Sequence, residues 1–381
     1  AHVIAGPTLD PVITIYGDNF FSTSVVTLQL GTNTPITLPS TLLSRKVLQA
    51  TVKAAYLAVP NPALPYPIKW TLSVTNPAPP NDPGQPPAQI EFDVDDPAVP
   101  TITSVVNAAS YLGTSVWTGT GTNPMNPPTT PPVSISPREI ISIFGQNLGP
   151  ATVSTATPTA TPPSTTLVYP TTWSGVKVVF TIGSGATATN VNAPIIMTSS
   201  NQINAIVPVE VAGAIGSATP SVTITVDNAG TPTSAFSAYV LAEDPGAFTF
   251  GGLGQGQAAV LNYDNTGAAT INSTKSAAVR GSAIAIFATG MGDLAGPAVP
   301  NGAIVTTATS LRNATARVDI DGQPAVVTYA GTSPGAVAGL VQINAIVPPS
   351  VRTGQAISLT VSIGAAVGSH RSQPAVTFAV K

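Results

Sequence analysis

The sequence predicts an all-β chain of three tandem immunoglobulin-like β-sandwiches, and three observations carry that prediction. First, the seven residues QINAIVP at 202–208 recur unchanged at 342–348, with a fainter echo, LQATV, at 48–52. Each copy follows a second recurring phrase: ITIYGDNF at 13–20, ISIFGQNLG at 141–149 and IAIFATGMGD at 284–293. Two landmarks in one order, three times over, mean three copies of one unit, and a period this long is a domain and not a solenoid turn. Second, 39 prolines and 33 glycines cut the 381 residues into short pieces, which suits strands and turns and excludes long helices. Third, Trp70, Leu72 and Val74 alternate with Lys69, Thr71 and Ser73, the period of a strand with one buried and one wet face.

The bulk composition narrows the partners. Hydrophobic residues make up 43 % of the chain but aromatics only 6 % and charged residues 8 %, the reverse of the balance in disordered chains. The net charge of −3, with no run of Lys or Arg, makes nucleic acid a poor partner. No apolar run reaches the ~18 residues that suggest a membrane span. Without cysteine there are neither disulfides nor thiolate metal sites. A surface rich in Ser, Thr, Asn and Gln suits a secreted bacterial β-protein. The chain begins at Ala1, not Met, which reads as a mature product with its signal removed or as a chain trimmed at its start.

Taken in order, the first unit spans 1–96, with strands expected at 12–15, 25–30, 48–52, 69–74 and 90–94. Five or six short strands at this spacing read as a sandwich. The second unit spans 97–245, with strands expected at 140–144, 176–182, 193–197, 203–207, 221–226 and 235–241. It is swollen by two insertions, 113–137 and 150–170, rich in Thr, Ser, Pro and Gly; loops this long are functional or disordered. The third unit spans 246–381, with strands expected at 258–263, 283–287, 316–320, 325–329, 340–347, 357–363 and 375–380. Asp321-Gly322 between apolar runs signals a hairpin turn. The Pro-containing junctions at 95–100 and 244–248 predict a semi-rigid rod, and the G-x-G-x-G string at 252–256 a flexible junction and not a phosphate cradle.

These phrases resemble known families. The first unit resembles the IPT/TIG immunoglobulin-like domain in its G-x-x-F at 17–20, the L-x-A-x-V strand at 48–52 and V-T-N-P at 74–77. The second and third units resemble an uncharacterised C-terminal region of secreted acidobacterial proteins. The phrases that carry this are VVNAASY at 105–111, 141–149, 202–208, GQGQAAVLN at 254–262, AVVTYAG at 325–331 and 337–348. The resemblance covers nearly the whole chain and implies a secreted, surface-associated protein; it supplies no catalytic residues.

Each candidate site has a bland reading beside it. The two histidines are His2 and His370, and the one G-x-S-x-G string lies at 331–335. A nucleophile elbow needs a helix after the Ser and an N–H on the next residue; here Pro334 follows, so a β-turn is the better reading and no enzyme is expected. No cofactor is expected either. Glu91, Asp93, Asp95 and Asp96 form a carboxylate cluster suited to calcium or simply to a solvated strand whose like charges discourage aggregation. Asp319-Asp321-Gly322 mimics part of an EF-hand loop but lacks the distal Glu. Tyr111, Trp117, Tyr169 and Trp173 flank the insertions, where they either stack on a sugar or anchor the loops. Asn272 and Asn313 open glycosylation sequons, and 152–166 resembles a glycosylated stalk.

Only about ten residues precede Val12, where a first strand is expected, so that sheet edge reads as open. An open edge accepts a neighbour's strand by β-augmentation, with Ala1, His2, Val3, Ile4 and Leu9, or one of the insertions, as donor. The function expected is a non-enzymatic extracellular structural protein, a homopolymer forming a surface fibre or stalk. An adhesin or carbohydrate-binding accessory module is the alternative.

Overall fold

The computed structural model of the protein describes residues 2–4, 12–16, 18–53, 56, 68–77, 87–95, 99–113, 116–117, 133–217, 220–312, 315–364 and 370–381; for 2–4, 68, 92–95 and 116–117 it describes the backbone alone. The protein is all-β, and its contacts divide it into two compact units, Ala1–Val99 and Pro100–Lys381.

In the first unit, one sheet runs in the order His2–Ile4, Ala88–Asp95, Ile68–Thr75, Val25–Leu30, Ile36–Leu38. The other runs Val12–Tyr16, Val47–Thr51, Ser40–Ser44. One core fills the space between them, with Val26, Leu28, Trp70 and Leu72 from the first sheet and Leu48 and Ala50 from the second. The alternation of Trp70, Leu72 and Val74 holds, but Ser73 on the opposite face is also buried.

The second unit holds two hydrophobic cores. The first lies between two sheets, Ser154–Thr155, Ile195–Thr198, Gln202–Ile206, Ile140–Gln146, Thr101–Asn107, and Ser134–Ile135, Phe236–Val240, Ser221–Asn228, Val176–Ile182, Thr189–Asn192. The second core is enclosed by one twelve-stranded sheet instead of two separate ones. Gln323–Thr332 joins its layers: residues 323–325 pair with Arg317–Ile320 and 326–332 with Val341–Ile346, with a register shift between Val327 and Tyr329. A bulge of this kind bends a strand, and it lets ten residues serve two layers.

The repeated phrases pair with each other in one register. Ile13 stands opposite Ala50, Thr14 opposite Gln49 and Ile15 opposite Leu48. Ile141, Ser142 and Ile143 face Ala205, Asn204 and Ile203; Ile284, Ala285 and Ile286 face Ala345, Asn344 and Ile343. Within the heptad, Gln202 Nε2 donates to Asn204 Oδ1 at 2.8 Å and Gln342 Nε2 to Asn344 Oδ1 at 2.9 Å. The outward face of both copies thus carries the same polar pair. The first copy has Val47 and Gln49 at those places, which is why its echo is faint.

Several expectations need correction. Ser134–Ile135, inside the expected insertion 113–137, is a buried strand paired parallel with Phe236–Val240. The second insertion is a clasp: Val168 bridges Ala303, and Ile304 donates its N–H to Leu167 at 2.7 Å. Gly254 is no flexible hinge, because its φ of 68° and a Cβ position 2.1 Å from the Ser110 carbonyl oxygen demand glycine there. The hairpin at Asp321-Gly322 forms as expected, with φ of 53° and 73°.

Ile143 is fully buried, whereas Ile15, in the same register position, is only partly so. Ile143→Ala is therefore expected to cost about 2–5 kcal/mol and Ile15→Ala distinctly less, as read from urea denaturation of the two variants.

Candidate functional site

The junction expected at 244–248 is a buried polar seam that joins the two cores of the second unit. It begins with Asn107, at the end of Thr101–Asn107. Its Oδ1 accepts from the N–H groups of Ala109 and Ser110 at 2.9 and 3.1 Å, and its Nδ2 donates to the Asp244 carbonyl at 2.9 Å. The N–H of Asp244 donates to the Gly290 carbonyl at 2.7 Å, and its carboxylate accepts from Ser134 Oγ. Thr289 Oγ1 accepts from the Ile140 N–H and donates to the Gly339 carbonyl, both at 2.8 Å. Gln373 accepts from the Ala247 N–H and donates back to the Ala247 carbonyl. All five side chains are buried, and in a low dielectric such fully used groups fix one arrangement. Beside them an apolar patch of Ile140, Ile206 and Val337 closes the seam.

Glycine makes the approach possible. A Cβ on Gly290 would lie 1.9 Å from the Asp244 carbonyl oxygen, one on Gly246 2.2 Å from Asn107 Oδ1, and one on Gly339 2.3 Å from the Arg138 carbonyl oxygen.

Two ionic features sit on this seam. Burial, reinforced by the negative charge of Asp244, holds the Glu139 carboxyl well above the usual carboxylate range, although Ser136 donates to it from N–H and hydroxyl. Glu139 Oε1 has no protein hydrogen-bond partner, as suits a group held toward its neutral form. Arg138, in the left-handed region at φ 66°, donates Nε to Asp293 at 2.8 Å and Nη2 to the Val299 carbonyl at 2.9 Å. Burial pushes Asp293 upward, but hydrogen bonds from Arg138, the Leu294 N–H and Arg312 outweigh it and leave its pKa lowered. A concavity of 280 Å³ opens beside this ion pair, lined by Pro137, Ala212, Ile215, Ala242, Glu243 and Arg312.

The residues singled out by sequence do not converge. Tyr111 is partly exposed, its ring centroid 6.4 Å from that of Phe144. Tyr169 packs on the Ile140–Ile206–Val337 patch. Trp173 packs on the neighbouring core and donates Nε1 to Ser154 Oγ at 2.9 Å. Both of these rings anchor their loop. Val116–Trp117 pairs with His370–Arg371, and the Trp117 side chain lies outside the described residues. Glu91 is exposed near Lys69 at 3.9 Å. Asp93 and Asp95 belong to Ala88–Asp95, their side chains and all of Asp96 lying outside the described residues. Among the described residues no group of three or more His, Asp or Glu is placed to hold a metal.

Asn272 is not a free acceptor for a glycan: it is fully buried, donates to Asn262 Oδ1 and the Ala379 carbonyl, and accepts from the Ala379 N–H. Asn313 lies outside the described residues. Ser333 Oγ donates to Gln342 Oε1 in a turn that includes Gly335 at φ 87°. His370 is half-buried in a strand, not a turn; its Nδ1 lies 2.7 Å from the Glu243 carbonyl oxygen and burial lowers its pKa. His2 pairs opposite Asp93 in the backbone ladder, and Val3 and Ile4 follow it; Ala1 and Leu9 lie outside the described residues. Asp321 is held at about 2 by hydrogen bonds from Arg352, helped by the guanidinium charge.

Sequence reasoning missed Asn107, Glu139, Asp244 and Gln373. The signal available was scarcity: in a chain with 8 % charged residues, Glu139 directly precedes a strand whose first four residues are buried.

No protein-family model matches the chain, and no curated protein matches it. Among solved structures the chain is similar to the full extracellular region of Plexin A4, domains 1 to 10, at 11 % identity and TM-score 0.18. That match covers all of this chain and 28 % of the plexin chain. A second is the complex of Dpr2 Ig1-Ig2 with DIP-Theta Ig1-Ig3, at 8 % identity over 98 % of this chain and 95 % of that one, TM-score 0.18. A third is an endo-fucoidan hydrolase of glycoside hydrolase family 107, at 10 % identity over 99 % of this chain and 43 % of that one, TM-score 0.15. Scores this low carry nothing of those proteins' activities to this chain.

For an acid whose folded pKa is raised, the unfolded chain releases its proton first, so stability falls as pH climbs above the ordinary glutamate range. Glu139→Gln removes that loss. Its melting temperature is expected to rise relative to the parent protein as pH climbs above about 4; a pH-independent difference would show that Glu139 does not titrate this way.

Proposed function

We propose that this chain is a non-enzymatic extracellular structural protein that associates with copies of itself into a surface fibre or stalk. It is read as three tandem immunoglobulin-like sandwiches, 1–96, 97–245 and 246–381, of the IPT/TIG and acidobacterial C-terminal kinds that its phrases resemble. The observation that carries this is the seam. The buried side chains of Asn107, Ser134, Thr289 and Gln373 bond backbone groups or Asp244 across it, which supports a role in rigidity. The larger concavity, 510 Å³, is an open groove on the outer face of a sheet, between Arg317, Asp319, Pro324 and Arg371. Among the described residues no helix is long and apolar enough to cross a membrane. A rigid body with few charges suits repeated subunit contact.

An adhesin or carbohydrate-binding module is the second reading, and the exposed ring of Tyr111 is the observation in its favour.

Electron microscopy of the native protein with light scattering separates the two. Regular fibres with a protomer repeat are expected. A monomer of 38.2 kDa at every concentration, with glycan binding that Tyr111→Ala abolishes, would put the module in its place.

A further inference from the structure

We propose that the outer edge of Val12–Tyr16 is an assembly contact where two copies of this chain pair antiparallel, strand to like strand, about Thr14; this rests on the self-association proposed above. The internal repeat supplies the argument. The strand in this position in the second copy, Ile140–Gln146, pairs on one side with Gln202–Ile206 and on the other with Thr101–Asn107. In the third, Ala283–Thr289 pairs with Val341–Ile346 and also with Val260–Tyr263. Both of those additional neighbours run antiparallel. Val12–Tyr16 has the Val47–Thr51 ladder in matching register, but among the described residues nothing pairs with its other edge. His2–Ile4 joins Ala88–Asp95 in the opposite sheet instead.

Burial records the missing neighbour. Ile141, Ile143, Ile284 and Ile286 are 0 % exposed, while Ile13 and Ile15 remain partly open and Val12 and Tyr16 are 57 % and 80 % exposed. The other edges of this sandwich are blunted in the ways that suppress pairing. His2–Ile4 and Ile36–Leu38 are three residues long, and Ser40–Ser44 carries a register shift between Leu42 and Ser44. Val12–Tyr16 has five residues and no charge, proline or shift.

The occupant is a second copy because the strand is chemically symmetric about Thr14. Antiparallel self-pairing sets Ile13 opposite Ile15 of the second copy on the inner face. On the outer face it sets Val12 opposite Tyr16, a favourable β-branched and aromatic pair. The two three-stranded sheets become one of six. Such a contact is isologous and closes a pair, so fibre growth uses another surface in addition.

The chain has no cysteine, so Thr14→Cys introduces a single thiol. Across the two-fold axis two such residues would have Cα atoms about 4.5–5.5 Å apart, within disulfide reach. Under mild oxidation Thr14→Cys is expected to yield a covalent dimer on a non-reducing gel, roughly tenfold more than Thr41→Cys on the blunted edge, while Thr14→Lys, with like charges opposed, shifts light scattering toward monomer. Circular dichroism checks that each variant folds. If the parent protein assembles but Thr14→Cys does not cross-link and Thr14→Lys changes nothing, the edge assignment fails and the fibre reading stands. If the parent protein is monomeric throughout, both fail. Protection from hydrogen exchange, in a monomer, of those Val12–Tyr16 amides that point away from Val47–Thr51 would show that the same chain covers the edge, and would overturn the proposal.

Discussion

The constraint on which the rest of the structure depends is the register between two strands, met three times. Because side chains alternate with a period of two, a slip of one residue would turn Ile141 and Ile143, or Ile284 and Ile286, out of the cores they fill. The heptad prevents the slip from both faces. Its Ile and Ala sit inward against the core, and its Gln and Asn sit outward and bond each other. Once this pair is set, the strands that flank it have only one place to go.

The seam is the second constraint and follows from the chemistry of burial. A polar group taken out of water is costly unless its hydrogen bonds are restored. Asn107, Thr289 and Gln373 meet that condition by capping backbone groups of the chain that passes between the cores. Glycines at 246, 290 and 339 let the backbones come close enough. Glu139 and Arg138 each keep one buried atom without a protein partner. A joint held this way ties the two cores of the second unit together.

Charged side chains are few. Among the described residues the closest ion pairs are those of Arg138 and Arg312 around Asp293, and of Arg352 on Asp321 at the hairpin turn; Lys46–Asp18 and Lys69–Glu91 are longer and exposed.

Much of the fold was legible in the sequence because strand pairing is local in pattern. The recurring phrases, the alternation around Trp70 and the Asp-Gly turn all report a backbone period or a special φ, which a few consecutive residues determine. The heptad copies even landed in matching register. The seam was not legible, because Asn107 and Asp244, or Ala247 and Gln373, are more than a hundred positions apart, and a side chain's partner at that range depends on how the cores pack. The same reason turned a supposed flexible glycine run into a close backbone contact at Gly254, an expected glycosylation site into the buried hub Asn272, and an expected loop into the strand Ser134–Ile135. By itself the sequence determined most of the longer strands, the Asp321-Gly322 turn and the recurrence of the two phrases, since these follow from periodicity and local backbone preference. The tertiary structure alone decided which polar groups are buried, since burial is a property of the assembled cores.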